Sequence, residues 1–344
     1  MKLSQIVLNI KLFNNQHRLN VSWFFFCLII IFSIFITIVS LNFINSSSPT
    51  EVGEIHQIGN NKYKYISPLL ECTSPSLGDQ ESINLKNQIT AIITDETNKN
   101  NISDAAVYIR DLNNGPWIGI NAIEKFSPAS LLKVPILITY LKLAEDDSNL
   151  LQKKIQIDVI DPKALDQNIV PEKEIIGGQK YTVLELLIRM ISYSDNLSAN
   201  TLIKNIDDQK LNKIYSDLNI SIPTGGQLEN FMTVVDYASF FRILYNSSYL
   251  DRDMSELALG LLTKSSFEAG LVAGLPEGTV LAHKFGERNF EGKLQLHDCG
   301  IVYIPKNNYL ICVMTRGDDL SKMEKAIQVI SAETYKYYSK IYKN

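Results

Sequence analysis

Ser127-Pro128-Ala129-Ser130-Leu131-Leu132-Lys133 introduces a long apolar segment that carries Ile136, Leu137, Tyr140 and Leu141 at helical spacing. Ser127 reads as the N-cap and Pro128 as the first helical position, where its missing N–H costs nothing. Residues three apart share a helix face, so Lys133 can reach the Ser130 hydroxyl. A serine hydroxyl becomes a useful nucleophile only when a neighbouring base takes its proton, and a desolvated lysine can do so. Ser130 also falls in the first helical turn, where its own unpaired N–H can help hold an oxyanion. Alone, a Ser-x-x-Lys match is common by chance.

Two further polar stretches lie downstream. Ser194-Asp195-Asn196 follows a helix that starts at Thr182, where Thr182 and Glu185 match a capping box and Leu186, Leu187, Met190 and Ile191 form the apolar face. Such a stretch is ordinarily a cap or turn. His283-Lys284-Phe285-Gly286 lies on a late strand, and its glycine lets another backbone approach the strand edge.

The elements around these stretches fall in a segregated order. A first amphipathic helix carries Ile83, Leu85, Ile89, Ile92 and Ile93. Ala105 to Leu112 and Trp117 to Ala122 read as strands joined by Asn113-Asn114-Gly115, a hairpin signal. Helices follow, then strands at Val280 to Phe285, Leu294 to Ile304 and Tyr309 to Thr315, the last two joined by a turn at Pro305-Lys306-Asn307-Asn308. A closing helix carries Leu320, Met323, Ile327, Ile330 and Tyr337. This order predicts an α+β domain: an antiparallel sheet flanked by the terminal helices, plus an all-helical subdomain.

Ser-x-x-Lys, then Ser-Asp-Asn, then a Lys-x-Gly strand, in that order and at these intervals, resembles the motif set of class A β-lactamases and penicillin-binding proteins. The resemblance covers about residues 82 to 338, and Ser-Asp-Asn looks more like the class A branch. It implies an acyl-enzyme at Ser130 formed with a β-lactam or a peptidoglycan stem-peptide amide, with Lys133 as general base. Ser194 would relay a proton to the leaving nitrogen, Asn196 would bond Lys133 and the substrate amide, and Lys284 would supply a cation near Ser194 and a substrate carboxylate. Gly286 and Glu287 would line the substrate site, the Ser130 and Glu287 N–H groups forming the oxyanion hole.

Two departures from the family pattern stand out. Phe285 replaces the usual Thr or Ser between Lys and Gly, so a hydroxyl facing the substrate carboxylate is missing, and Lys284, Lys293, His297 or Arg316 would have to compensate. The family's Glu-x-x-x-Asn loop is also not kept. Pro223-Thr224-Gly225-Gly226-Gln227-Leu228-Glu229-Asn230 is short and offers only Glu229, which Asn230 follows directly and which reads as a helix-start acid sooner than as a deacylating base. Slow release of the acyl group is therefore expected. This favours a D,D-peptidase or penicillin-binding role over an efficient β-lactamase. An esterase on the same framework, or a non-catalytic wall-binding module, are the other readings.

The remaining features bound the class. Val21 to Phe43 contains no charged residue and is rich in Phe, Ile, Leu and Val, long enough for a transmembrane helix. Lys2, Lys11, His17 and Arg18 precede it, and no Lys or Arg follows until Lys62, so the N-terminus is expected in the cytoplasm and the rest outside. A cleaved signal peptide would need a shorter apolar core and a small-residue cleavage site. The expected organisation is a cytoplasmic tail at 1–20, a membrane helix at 21–44, an extracytoplasmic linker at 45–81 with a strand-like piece at Tyr63-Lys64-Tyr65-Ile66, and the hydrolase domain at 82–344.

A net charge of -4 with scattered Lys and Arg carries no footprint for nucleic acid. Four cysteines without metal-ligand spacing suggest neither a disulfide framework nor a metal, and no cofactor is expected. With the turn centred at Lys306-Asn307, Cys299 falls opposite Met314 and Cys312 opposite Ile301, so both cysteines are expected to be free, buried thiols.

Overall fold

The alternation of β1 (Asp104–Asp111) explains how the domain is layered: Ala105, Val107 and Ile109 enter one core and Ala106 and Tyr108 the other. A computed structural model of the chain describes residues 63–67, 80–113, 117–158, 169–173, 175–222, 231–290, 292–305 and 307–340. All of them belong to one compact unit, Gly59–Asn344. In chain order the other strands are β2 (Trp117–Ile120), β3 (Lys154–Gln156), β4 (Lys180–Thr182), β5 (Val280–Phe290), β6 (Lys293–Tyr303) and β7 (Tyr309–Gly317). The main sheet has the order β2-β1-β7-β6-β5, and its neighbouring strands all pair antiparallel.

The helices are α1 (Gln80–Asn98), α2 (Lys133–Asp146), α3 (Val183–Ser192), α4 (Asn196–Lys204), α5 (Asp208–Asp217), α6 (Val234–Tyr245), α7 (Arg252–Leu262) and α8 (Leu320–Lys340). Leu85 and Ile89 of α1 and Ile327 and Ile330 of α8 bury one sheet face together with Val107, Ile109, Ile311 and Val313. The opposite face carries Tyr108, Cys299, Ile301, Leu310 and Met314 and packs on the helical cluster, including Leu137, Leu187 and Phe241. The α+β architecture expected from the order of elements is therefore observed. Among the described residues no helix is long and apolar enough to cross a membrane. The segment 21–44 lies outside the described residues, as does most of 45–81.

Several local expectations need correction. Ser127 does not cap a helix. Ala129 adopts a left-handed φ of 50°, and Ala129–Leu132 forms a 3-10 turn before α2 begins at Lys133. Both backbone groups of Ser127 are bound instead to β6: its N–H donates to Gln295 Oε1 (3.0 Å), and its carbonyl pairs with His297 Nε2 (2.9 Å). Tyr63 to Ile66 is not a strand, because the Lys64, Tyr65 and Ile66 N–H groups converge on the Glu256 carboxylate at 2.6 to 3.2 Å.

The cysteines are not free either: Cys299 and Cys312 form a disulfide. The Asn307 N–H bonds the Ile304 carbonyl (2.9 Å), so the turn begins at Ile304 and Pro305 takes the second position, which its fixed φ suits. That shift slides β7 by two residues and sets Cys299 directly opposite Cys312, with Cα atoms 4.0 Å apart.

Candidate active site

Ser194 lies between two helices for a local reason. The Thr182 and Glu185 capping box starts α3, and Asp195 caps α4 by accepting from the Ser198 N–H (2.5 Å). The residue between the helices must reverse the chain, and Ser194 does so at a φ of 58°, a conformation costly for a non-glycine residue. Its carbonyl and hydroxyl both turn toward α2. Lys133 Nζ donates to Ser194 O (2.5 Å), Ser194 Oγ (3.1 Å) and Asn196 Oδ1 (2.7 Å).

Lys284 approaches from the sheet. It shares the inward face of β5 with Ala282, has no exposed surface, and donates to Ser194 Oγ (2.9 Å) and Phe285 O (2.8 Å). Its strand partner is Cys299, so the disulfide lies behind it in the sheet. The Ser194 hydroxyl thus accepts from two lysines, which occupies its lone pairs and leaves its own proton to be donated.

Burial pushes Lys133 down from 10.5 to about 7, against the opposing pull of the Asp195 and Glu287 carboxylates. Burial and then the neighbouring Lys133 push Lys284 well below the usual lysine range, with Asp298 opposing. Neither amine is held firmly as an ammonium at neutral pH. Both are therefore suited to accept a proton.

Ser130 is half-buried in the 3-10 turn ahead of Lys133. Among the described residues its hydroxyl makes no hydrogen bond, Lys133 being directed at Ser194 and Asn196 instead. Gly286 packs against that turn: a Cβ on it would stand 2.8 Å from the Pro128 carbonyl and 3.0 Å from the Leu131 nitrogen. The glycine thus permits β5 to press on the Ser130 turn, a reason additional to the open strand edge read from sequence. Glu287, next on β5, accepts from the Ile169 N–H through Oε1 (3.2 Å).

The structure brings Lys133, Ser194, Asn196 and Lys284 into one hydrogen-bonded cluster and packs Gly286 against the turn that bears Ser130. Of the suggested substitutes for the missing hydroxyl it brings in Lys284 but not Arg316, Lys293 or His297. Arg316 bonds Glu124 (2.9 Å) and the Lys125 carbonyl over the Phe126 ring, and Lys293 pairs with Asp318 (2.8 Å) at the far end of the hairpin. His297 is fully buried and burial lowers it to about 4, so it is neutral. Its Nδ1 accepts from the Thr315 N–H (3.3 Å), which leaves the proton on Nε2 for the Ser127 carbonyl.

Sequence reasoning missed this clamp on the Ser130 turn, and it missed Asp195, which holds both the cap and the charge beside Lys133. The polar residues of β6 at alternate positions, Gln295 and His297, were the available signal. Glu229 and Asn230 lie outside the described residues. Among the described residues no group of three or more His, Cys, Asp and Glu side chains could hold a metal ion.

Residues 84–338 match the model of the Beta-lactamase enzyme family. Among curated relatives, the β-lactamase Toho-1 of Escherichia coli is 24% identical over 227 residues, 61% of this chain and 75% of the relative. Among solved structures, TLA-1 extended-spectrum β-lactamase superposes with a TM-score of 0.65 at 20% identity, covering 75% of this chain and 99% of its own. A PBP-A variant in an acyl-enzyme complex with penicillin G gives 0.64 at 21% identity, covering 75% and 97%. With that family match over most of the domain, the chain belongs to the β-lactamase enzyme family and is class A-like.

Proposed function

We propose that the protein is a membrane-anchored, extracytoplasmic serine hydrolase that forms an acyl-enzyme at Ser130 with β-lactams or peptidoglycan stem-peptide amides. The observation that carries this reading is the Ser194 hydroxyl held between Lys133 and Lys284 beside the Ser130 turn. In this reading Lys133, in its neutral form, takes the proton of Ser130 as Oγ attacks the carbonyl carbon. The Ser130 and Glu287 N–H groups stabilise the oxyanion. The C–N bond then breaks, and the leaving nitrogen receives its proton from Ser194, which is reprotonated through the lysines. Asn196 orients Lys133 and the substrate amide.

Anchoring is supported by the uncharged run Val21 to Phe43 behind a basic tail. The Cys299–Cys312 disulfide suits an oxidising compartment outside the cytoplasm.

The choice between β-lactamase and D,D-peptidase rests on release. Between Asp217 and Asp236 the chain offers only Glu229 as an acid. A D,D-peptidase or penicillin-binding role with slow deacylation is therefore favoured over efficient β-lactam turnover. The full chain in detergent, incubated with a penicillin and then chased, should gain one acyl group on the peptide containing Ser130 and lose it slowly. Lack of any adduct in hours at saturating penicillin would leave the non-catalytic wall-binding module as the better reading.

A further inference from the structure

We propose that Phe267 and Phe285 are positioning residues for protonation of the leaving nitrogen: their stack closes off the Lys284 amine and holds it on the Ser194 hydroxyl, so that the Ser194 proton stays aimed at the substrate. The inference rests on acylation at Ser130 with Ser194 as proton donor, and deepens that reading.

Residue 285 grips the Lys284 amine twice. Its carbonyl accepts from Nζ (2.8 Å), and its ring turns back over the same nitrogen, with the centroid 4.1 Å away. Nζ also donates to Ser194 Oγ (2.9 Å), and Lys284 has no exposed surface. Carbonyl, ring face and hydroxyl thus take the three directions that an amine head offers, and none is left for water. Any residue at 285 would supply the carbonyl. Only an aromatic one supplies the ring.

Phe267 fixes that ring in place. The two rings stack with centroids 4.2 Å apart and an interplanar angle of 21°. Both belong to the core under α1 and α8, which taken alone would make them filler. The way Phe267 is built in ties the stack to the site. Its neighbour Ser266 donates its N–H to the carbonyl of Ser192 (2.8 Å), two residues before Ser194. On the other side Leu271 donates to Asp298 Oδ2 (3.1 Å), and Asp298 Oδ1 pairs with Nδ1 of His283 (2.8 Å), the residue before Lys284. Gly270 turns there at a φ of 59°, and a Cβ on it would stand 3.1 Å from both Asp298 Oδ2 and the Phe267 ring. The stack is therefore held against both partners of the Lys284–Ser194 bond.

The consequence falls on the breaking C–N bond. Its electron pair goes to nitrogen, which takes the Ser194 proton, and Lys133 returns to Ser194 the proton it took from Ser130. Ser194 Oγ donates toward the substrate only while the two lysines occupy its lone pairs. A water admitted beside Lys284 would compete for the amine and for that hydroxyl. Misplacing such a group by about 1 Å costs up to about 10²-fold in rate.

The test sets penicillin G against an N-acyl-D-alanyl thioester and the matching aryl ester, whose leaving groups depart as stable anions without a proton. Acylation of the full-length protein at Ser130 is followed by rapid-quench intact mass. Phe267→Ala should slow penicillin G about tenfold to a hundredfold and leave both ester donors within about twofold of wild type. Ser194→Ala should show the same split more strongly. Phe267→Val, which leaves a smaller cavity, carries the comparison if Phe267→Ala does not fold. Equal slowing of all the donors would make the stack a structural element only and overturn the proposal, as would an unchanged rate with penicillin G. Equal slowing in Ser194→Ala would remove the relay, and the inference with it, while leaving acylation at Ser130 intact. Absence of an adduct with every donor would contradict this inference and the Ser130 reading together.

Discussion

The His297 imidazole, on β6, grips the carbonyl of Ser127 at 2.9 Å, three residues before Ser130. It is fully buried and neutral, with Thr315 fixing its tautomer, and Gln295 holds the Ser127 N–H from the same strand. A turn strained at Ala129 is thereby tied at both backbone groups to the sheet. His297→Ala should lower stability by about 1–3 kcal/mol, the cost of leaving a buried carbonyl unpaired. It should also slow acylation without shifting its pH profile, since the residue positions the turn and does not titrate near neutrality. Thermal melts and adduct kinetics on the same preparation check both, and an unchanged melting temperature would contradict the clamp.

Ser194→Ala removes the hydroxyl that joins Lys133 to Lys284. The expected loss in acylation rate is roughly 10²–10⁴-fold, the usual contribution of a positioned proton-transfer group. The fold should survive, because the Asp195 cap and the Ser194 carbonyl are unaffected. Circular dichroism with rapid-quench adduct formation measures this, and wild-type acylation rates would rule out the relay.

Acylation should depend on pH through Lys133. The reactive form is the neutral amine, whose population rises as pH passes about 7, so the rate should climb below that value and level off above it. Linkage has the same sign. The folded state binds fewer protons than the unfolded chain between about 7 and 10.5, so this group's contribution to stability improves as pH rises across that window. A rate that falls between pH 6 and 8 would exclude a neutral Lys133 base.

The Cys299–Cys312 bond should leave neither cysteine reactive in denatured, unreduced protein. Replacing both with alanine should cost about 2–4 kcal/mol, as expected for closing a short loop. Because the chain also holds Cys27 and Cys72, the label is located by peptide mapping, and label on Cys299 and Cys312 themselves would refute the pairing.

These residues mark how far the sequence could be read. The two-residue alternation and the Thr182–Glu185 box were legible because each is a local pattern with a single geometric solution. The register of β7 was not, since it turned on whether Pro305 stood first or second in the turn, and that choice decided the disulfide. The Lys133, Ser194, Asn196 and Lys284 cluster was legible only through motif order, because its members lie on three separate elements. The burial of Lys284 behind Phe285 and the clamp by Gln295 and His297 depend on packing between β5, β6 and the Ser130 turn, of which the alternate polar residues of β6 are the one local sign.

Release of the acyl group is a separate step that needs a base beside the ester. Glu229 stands outside the family spacing, so Glu229→Gln should change the lifetime of the adduct little, and the adduct should persist for minutes or longer. Chase experiments by mass spectrometry read this directly. Fast turnover of a chromogenic cephalosporin, abolished by Glu229→Gln, would instead make the protein an effective β-lactamase.

The central claim is that Ser130 is acylated, and peptide mapping after incubation with penicillin G or its carboxamide tests it most directly. The account predicts a single added acyl group on the peptide containing Ser130, absent in a folded Ser130→Ala protein and strongly reduced in Lys133→Ala. No adduct on the wild-type protein after hours at saturating reagent, or an adduct that survives Ser130→Ala, would contradict it.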